Sequence, residues 1–213
     1  SSDEASSGDE GESSPQGPLV VPGTFSVSLA KMVDGTLAPL GAPQSFVVES
    51  LGLASLPEKD KASLLEYQKK AGELQRAMMG ASAAADEALK TIRLMKKALR
   101  DTPKADPTLG ETARTIEVKI RAVLRDLVGD QTVGRRSEAR TPSLMDRVSN
   151  QTGSTGPITQ TVRRDYEIAA DGFGVVLETL RGLIERDLRT LGAALEAAGA
   201  PWTPGRGVPV WKK

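Results

Sequence analysis

The chain has 213 residues, of which 38% are hydrophobic, 26% charged and only 3% aromatic, a composition that favours aliphatic helix packing over an aromatic-rich β-sandwich core. Cysteine and histidine are both absent, which excludes disulfides, Cys/His zinc sites, thiol nucleophiles and histidine-based acid–base catalysis. The 28 basic residues balance the 28 acidic ones, so no overall field attracts nucleic acid or an anionic membrane.

The N-terminal segment, residues 1–16, has the composition of a disordered acidic tail. It combines serine, glycine and acidic residues with a single apolar side chain, Ala5. Such a segment buries too little surface to offset the entropy lost on ordering; an acidic recognition motif is the alternative interpretation. Because the chain begins at Ser1 rather than at methionine, we expect that processing or cloning removed an earlier part. No window of about 18 apolar residues occurs, so no membrane span is predicted.

Residues 17–51 carry the pattern of a β-hairpin. Apolar side chains alternate with polar ones along two stretches, with Phe25, Val27 and Leu29 in the first and Phe46 and Val48 in the second. Asp34 and Gly35 supply the turn between them. A two-stranded hairpin with one apolar face is marginal in water, and no other strand is predicted in the chain. We expect either the downstream helices to cover this face, or a sheet that comes from sequence before Ser1 or from another chain.

Residues 56–200 are predicted to form an elongated three-helix antiparallel bundle, because three apolar seams repeat in alternating steps of three and four residues. The first seam consists of Leu64, Tyr67, Ala71, Leu74, Met78, Ala81, Ala85, Ala88, Ile92, Met95 and Leu99. The second seam follows two prolines and consists of Leu109, Ala113, Ile116, Ile120, Val123 and Leu127. The third seam consists of Val162, Tyr166, Ala169, Phe173, Leu177, Leu180, Ile184, Leu188, Leu191, Leu195 and Ala198.

Glycine and proline residues indicate where these helices weaken or end. Gly80 weakens the first helix near its middle, but we expect the helix to continue through it. Gly129 is expected to end the second helix. The long loop, residues 130–160, is predicted to contain a short amphipathic helix with Thr141 as N-cap and Pro142 in the first helical position.

The polar residues show no catalytic pattern. Carboxylates such as Glu117 and Asp165 occur at spacings that a soluble bundle uses for surface ion pairs. The sequence has no glycine-rich phosphate loop and no calcium-loop spacing, so no cofactor or metal site is predicted. Basic pairs such as Arg163-Arg164 have acidic neighbours and few aromatic ones, so nucleic acid is not an expected partner. We predict that the protein is not an enzyme.

The C-terminal segment, residues 201–213, is predicted to be an extended tail with two aromatic anchors. Prolines restrict its backbone, and Trp202 and Trp211 are the only two tryptophans of the chain. Tryptophan and arginine are enriched at the energetic centres of interfaces, which adds Arg206 to the candidate contacts. The tail is expected either to fold back onto its own bundle or to dock into a partner domain.

Five stretches of the sequence occur in a distinctive order. They are Gly17-Pro18 with Val21-Pro22-Gly23-Thr24-Phe25, Leu56-Pro57 before the long helix, Gly129-Asp130, the run from Thr141 to Val148, and the run from Ala198 to Arg206. In this order and spacing they resemble the C-terminal region of the bacterial sortilin-like, BNR-repeat β-propeller proteins, which are often described as glycosyl hydrolases. The resemblance covers nearly everything from Gly17 onward.

The resemblance implies a position within a larger protein. In that family the strand with the PGT(Y/F) motif closes an Ig-like sandwich after the propeller, and the helical region comes last. Residues 17–51 would then be the remnant of an Ig-like sandwich that the N-terminal remainder of the precursor, or another chain, completes. The family is secreted, periplasmic or on the bacterial cell surface. The propeller's Asp-box repeat does not occur in this chain, so the resemblance assigns no glycan-directed activity to it.

Together these patterns predict a non-catalytic structural and interaction module from the C-terminal part of a secreted propeller protein. The residues predicted to make its contacts are Phe25, Val27, Leu29, Phe46, Val48, Trp202, Arg206 and Trp211. Two alternatives remain: an independent helical adaptor that recruits a foreign helix, and an accessory domain of a hydrolase.

Overall fold

A computed structural model describes residues 20–50, 56–130, 141–149, 151 and 156–208 of the chain. Within these ranges the fold is mainly α, as predicted, with three helical stretches and one β-hairpin. It divides into two compact units. The first contains the hairpin, the chain up to Lys69 and Gly156-Pro157, and the second contains the helical core in the other described residues from Lys70 onward. The predicted acidic tail lies outside the described residues.

The hairpin is a long two-stranded β-ribbon, residues 23–48. Its strands are β1 (Gly23–Val27), β2 (Ala30–Val33), β3 (Thr36–Pro39) and β4 (Gln44–Val48). Antiparallel pairing joins β1 to β4 and β2 to β3, so the four strands form two consecutive ladders of one hairpin. Between the ladders, the Leu40 amide donates a hydrogen bond to the Leu29 carbonyl oxygen at 2.8 Å.

The turn at the tip of the β-ribbon has the geometry that its sequence predicts. Asp34 has a φ of 48° and Gly35 a φ of 77°. Positive φ at both central residues defines a type I′ turn, whose twist matches that of the flanking strands. Glycine adopts such a φ without steric cost, and aspartate tolerates it better than most residues. The turn therefore fixes the pairing of Val33 with Thr36 and the register that follows from it.

The helical elements are α1 (Glu58–Arg100), α2 (Thr108–Val128), α3 (Gln160–Arg181), a π-helical segment (Gly182–Leu188) and α4 (Arg189–Ala197). α1 runs through Gly80 without a break, as expected. α2 ends at Gly129, whose φ of 82° stops the helix. α3, the π-helical segment and α4 follow one another without interruption, so they form one long third helix.

One buried core contains residues of all three helices. α1 contributes Met78, Ala81, Ala85, Ala88, Leu89, Ile92, Met95 and Ala98, and α2 contributes Ala113, Ile116, Ile120, Val123 and Leu127. The third helix contributes Ala169, Phe173, Val176, Leu180, Leu183, Leu188, Leu191 and Leu195. Most of the predicted seam of α1 and nearly all of that of α2 is therefore buried, because a period near 3.5 residues keeps one stripe of a helix against its neighbours.

The third helix departs from its predicted seam in the middle. Val176 and Leu183 are buried where the sequence predicts Leu177 and Ile184, which are only half-buried. The next buried position after Leu183 is Leu188, five residues on. This long step falls within the π-helical segment, whose wider turn accommodates one additional residue.

The described part of the long loop contains a short helical turn that begins later than predicted. The Asp146 amide donates to Ser143 Oγ at 3.2 Å, and Asp146 Oδ2 accepts from the Ser143 amide at 3.0 Å. This reciprocal pair resembles a capping box, which needs a polar side chain three residues after the cap. The prediction of Thr141 as N-cap is wrong, because Ser143 occupies that role.

Candidate interaction site

The β-ribbon carries an apolar face, defined by Phe25, Val27, Phe46 and Val48. The register pairs Phe25 with Phe46, and residues two positions away lie on the same side of the ribbon. The two phenylalanine rings stack with their centroids 6.0 Å apart and their planes at 28°. Such a cross-strand aromatic pair contributes about 0.5–1 kcal/mol to a hairpin.

The β-ribbon is far more exposed than its sequence warrants. None of its residues is buried, and Phe25 and Val48 are half-buried. Eight large apolar side chains of the ribbon are between 49% and 69% exposed: Val27, Leu29, Met32, Val33, Leu37, Leu40, Phe46 and Val47. They do not all share one face, because Val47 pairs with Thr24 and so lies on the face opposite to that of Phe25. Single exposed apolar residues are ordinary, whereas several of them on one short ribbon mark a surface for another polypeptide or ligand. Val27, Leu29 and Phe46, which the sequence singles out, are among these eight, whereas Phe25 and Val48 are half-buried.

Arg206 links the segment that follows the third helix to the last turn of that helix. Its guanidinium donates hydrogen bonds to the carbonyl oxygens of Ala200 and Pro201, at 3.3 and 2.8 Å, and pairs with the Glu196 carboxylate. The Arg206 side chain is only 4% exposed. α4 ends at Ala197, so these two carbonyl groups lie beyond the helix, whereas the Glu196 carboxylate belongs to its last turn. The structure thus places Arg206 within its own chain.

Residues 200–208 form a strap that lies against α1. A Cβ atom added at Gly205, where φ is 86°, would stand 3.1 Å from the Thr91 side chain. A Cβ atom added at Gly192 would lie 3.5 Å from both Arg206 Cγ and Met95 Cε. Small residues therefore let the strap and the third helix approach α1 closely. Of the two alternatives that the sequence leaves open for the tail, residues 200–208 take the first and lie against their own helices.

Trp202 is the exception within the strap, because its ring stays 52% exposed. Its Nε1 donates a hydrogen bond to the Gly207 carbonyl oxygen at 2.9 Å, so the polar atom of the indole is satisfied within the chain. An exposed aromatic ring that is already held in place loses little entropy on binding. Trp202 therefore remains a candidate contact. Trp211 lies outside the described residues.

Glu117 on α2 forms a charged cluster with two cations. Lys96 Nζ of α1 lies 2.9 Å from Glu117 Oε2, and Arg121 Nη2 lies 2.8 Å from Glu117 Oε1. The hydrogen bond from Arg121 and then that from Lys96 hold the pKa of Glu117 below its ordinary value of 4.5. Because Lys96 belongs to α1, this cluster links two helices.

Replacing Glu117 by glutamine is expected to lower the free energy of unfolding near neutral pH by about 0.5–1 kcal/mol, since the cations are partly exposed. A lowered folded-state pKa stabilises the fold above the unfolded-state pKa, and this contribution is lost as the pH falls through the folded-state value. The difference between wild type and Glu117→Gln should therefore shrink below about pH 4.5 in urea unfolding.

A suitable control for this variant is Glu87→Gln, because Glu87 pairs only with Lys90 on its own helix and both side chains are well exposed. The control should change stability less at every pH. An equal loss in both variants, or a difference for Glu117→Gln that stays constant into acid, would contradict the role of the cluster.

The described residues show no grouping of three or more acidic side chains that could bind a metal ion. None of the helices in this part of the chain is both long and apolar enough to cross a bilayer.

No family model, curated protein or solved structure matches the chain.

Sequence reasoning missed two features of these surfaces. Arg206 was expected at an interface with a partner, whereas it binds Glu196 and the carbonyl oxygens of Ala200 and Pro201 in its own chain. The signal for this role was Gly199, whose φ of 69° ends α4 and returns the chain towards the helix. The second missed feature is that the two edges of the β-ribbon differ. The edge formed by β3 and β4 contains prolines, whereas the edge formed by β1 and β2 does not.

Proposed function

We propose that this chain is a non-catalytic structural and interaction module whose β-ribbon packs onto the remainder of an Ig-like sandwich. That remainder is supplied by the N-terminal part of its precursor or by another chain. In this proposal the three helices form an antiparallel bundle, and the module is the C-terminal part of a secreted bacterial propeller protein of the sortilin-like type.

The observation that carries the proposal is the exposed apolar face of the β-ribbon. Phe46 is 49% exposed and Val27 is 52% exposed, although both lie on the side that the alternation pattern marks as buried. An isolated two-stranded ribbon needs further strands or a covering layer for stability. A sandwich offers such a cover, because its two sheets bury their apolar faces against each other.

The alternative of a helical adaptor finds less support. The seam that was expected to recruit a foreign helix is buried from Met78 to Met95, with each seam residue at most 6% exposed. That part of α1 is already covered by the chain's own helices. Sedimentation tests the alternative, because an unfilled seam would drive self-association and a filled one would not.

The proposal is tested by the binding of a hydrophobic dye to the full chain. Wild type is expected to enhance the fluorescence of the dye, and Phe46→Ser should remove about half or more of that enhancement. The matched control is Val175→Ser, because Val175 is 69% exposed and the other exposed large apolar residue of α3, Ile168, lies two turns away. The control should leave the dye signal unchanged.

Hydrogen exchange of the same samples provides the second readout. The amides of the β-ribbon are expected to exchange much faster than those of the core helices, because no residue of the ribbon is buried. A wild-type chain that binds no dye and protects its ribbon amides as strongly as its helical core would refute the proposed docking surface.

A further inference from the structure

Among the residues that the structure describes, no further strand pairs with the β-ribbon, so both of its edges are open. The phase of its ladder determines which backbone groups each edge presents. In a hairpin with a two-residue turn, the residues that flank the turn form a hydrogen-bonded pair, and such pairs then alternate with non-hydrogen-bonded ones. Counted from the turn in steps of two, Leu29 and Leu40 should form a hydrogen-bonded pair, and the Leu40 amide does donate to the Leu29 carbonyl oxygen. The hydrogen-bonded pairs are thus Val33 with Thr36, Lys31 with Ala38, and Leu29 with Leu40.

The intervening pairs, Met32 with Leu37 and Ala30 with Pro39, direct their backbone groups away from the ribbon. On β2, Ala30 and Met32 both present an outward N–H. On β3, Leu37 presents one, but Pro39 has none because proline lacks the amide hydrogen. The two edges therefore differ in the number of donors that they offer to an added strand.

The edge formed by β3 and β4 is also irregular. Val27 pairs with Gln44, and Leu29 pairs with Leu40, so Ser28 alone stands opposite residues 41–43. The additional residues interrupt the ladder between β3 and β4, and one of them is Pro43. Bulges and prolines are the devices by which proteins prevent an edge from pairing. In contrast, β1 and β2 contain no proline and are separated by only two residues.

We propose that the edge formed by β1 and β2 accepts one further strand from the partner sheet, and that the edge formed by β3 and β4 stays unpaired. This inference rests on the proposed function, since it names the edge by which the ribbon joins the rest of the sheet. The added strand extends the ribbon to the three strands that a stable sheet requires. Main-chain hydrogen bonds supply the affinity, as in other cases of strand addition.

The side chains of β1 define the chemistry of this strand. Phe25 and Val27 lie on one face and Thr24 and Ser26 on the other. The strand that matches them has apolar residues at alternate positions and small polar residues between them. Lys31 is the only charged side chain between positions 23 and 33, so the residue opposite it is neutral or acidic.

The test uses a fluorescently labelled peptide with the sequence of residues 23–33, which is free of proline and has the required alternation. The peptide is titrated into the full chain and its anisotropy is measured. Two matched variants each remove one outward N–H: Met32→Pro on β2 and Leu37→Pro on β3. The two residues are cross-strand neighbours and are 67% and 65% exposed.

Saturable binding to wild type is expected, with a Kd raised about tenfold by Met32→Pro and changed less than about twofold by Leu37→Pro. Ala30→Pro should reproduce the effect of Met32→Pro, and hydrogen exchange of the ladder must show that each variant keeps the hairpin. Absent binding to wild type, equal losses in both variants, a larger loss in Leu37→Pro, or a peptide that binds as a helix would each overturn the assignment of the edge. Dye binding tests the proposed docking surface separately. If the wild-type chain still binds the dye in any of these cases, only the choice of edge is overturned.

Discussion

Replacing Ile120 by alanine is expected to lower the free energy of unfolding by about 3 kcal/mol. Ile120 lies on α2 and is completely buried in the core that contains residues of all three helices. The substitution removes three carbon atoms from a place where the surrounding helices cannot fully close the gap. The loss therefore combines the transfer energy of the removed atoms with the cost of a cavity. Urea unfolding followed by circular dichroism measures it.

The matched control is Val118→Ala on the same helix. Val118 is 59% exposed and faces away from the core, so the control should change the stability by less than about 0.5 kcal/mol. Similar losses in the two variants would show that the packing of α2 differs from that described here.

Replacing Arg206 by alanine is expected to cost about 2 kcal/mol and to release the strap of residues 200–208. The variant leaves the carbonyl oxygens of Ala200 and Pro201 without their cation and removes the aliphatic stem that packs near Gly192. Glu196 is 57% exposed and regains water, which keeps the cost below that of a fully buried ion pair. Urea unfolding measures the stability, and hydrogen exchange at the strap reports its release.

Two further variants separate the contributions of Arg206. Glu196→Gln removes only the exposed carboxylate and should cost less than about 1 kcal/mol. Arg206→Lys keeps the charge but not the fork of donors, so an intermediate loss is expected. If Arg206→Ala and Glu196→Gln lowered the free energy of unfolding equally, and the strap amides stayed protected from exchange, the hydrogen bonds of Arg206 would not hold the strap. Its apolar contacts would then be sufficient.

The helices and the hairpin could be read from the sequence because their signals are periodic and long. The seam of α1 repeats over more than thirty residues, so one glycine at position 80 does not interrupt it. Its cost of about 1 kcal/mol is small beside the burial of Met78 and Ala81 on either side. The hairpin was predictable because Asp34-Gly35 combines a turn signal with strand alternation on both sides.

Where the structure differs from the sequence prediction, the cause is packing between distant parts of the chain, which no local sequence pattern reveals. The sequence of the third helix is compatible with Leu177 and Ile184 facing inward as well as with Val176 and Leu183, because apolar residues stand at all four positions. The neighbouring helices decide between these alternatives. In the same way, the sequence shows that Arg206 follows a helix end, but not that its side chain returns to that end.

The wide turn at Gly182–Leu188 means that the third helix is one residue longer than its packing requires. Removing a residue elsewhere along this helix would rotate everything beyond it by about 100°, and Leu191 and Gly192 would turn out of the buried positions that they occupy. Removing one inside the wide turn would convert it into an ordinary α-helical turn and keep the later residues facing inward. This segment is therefore the place where the helix can change length during evolution without losing its alignment with its neighbours.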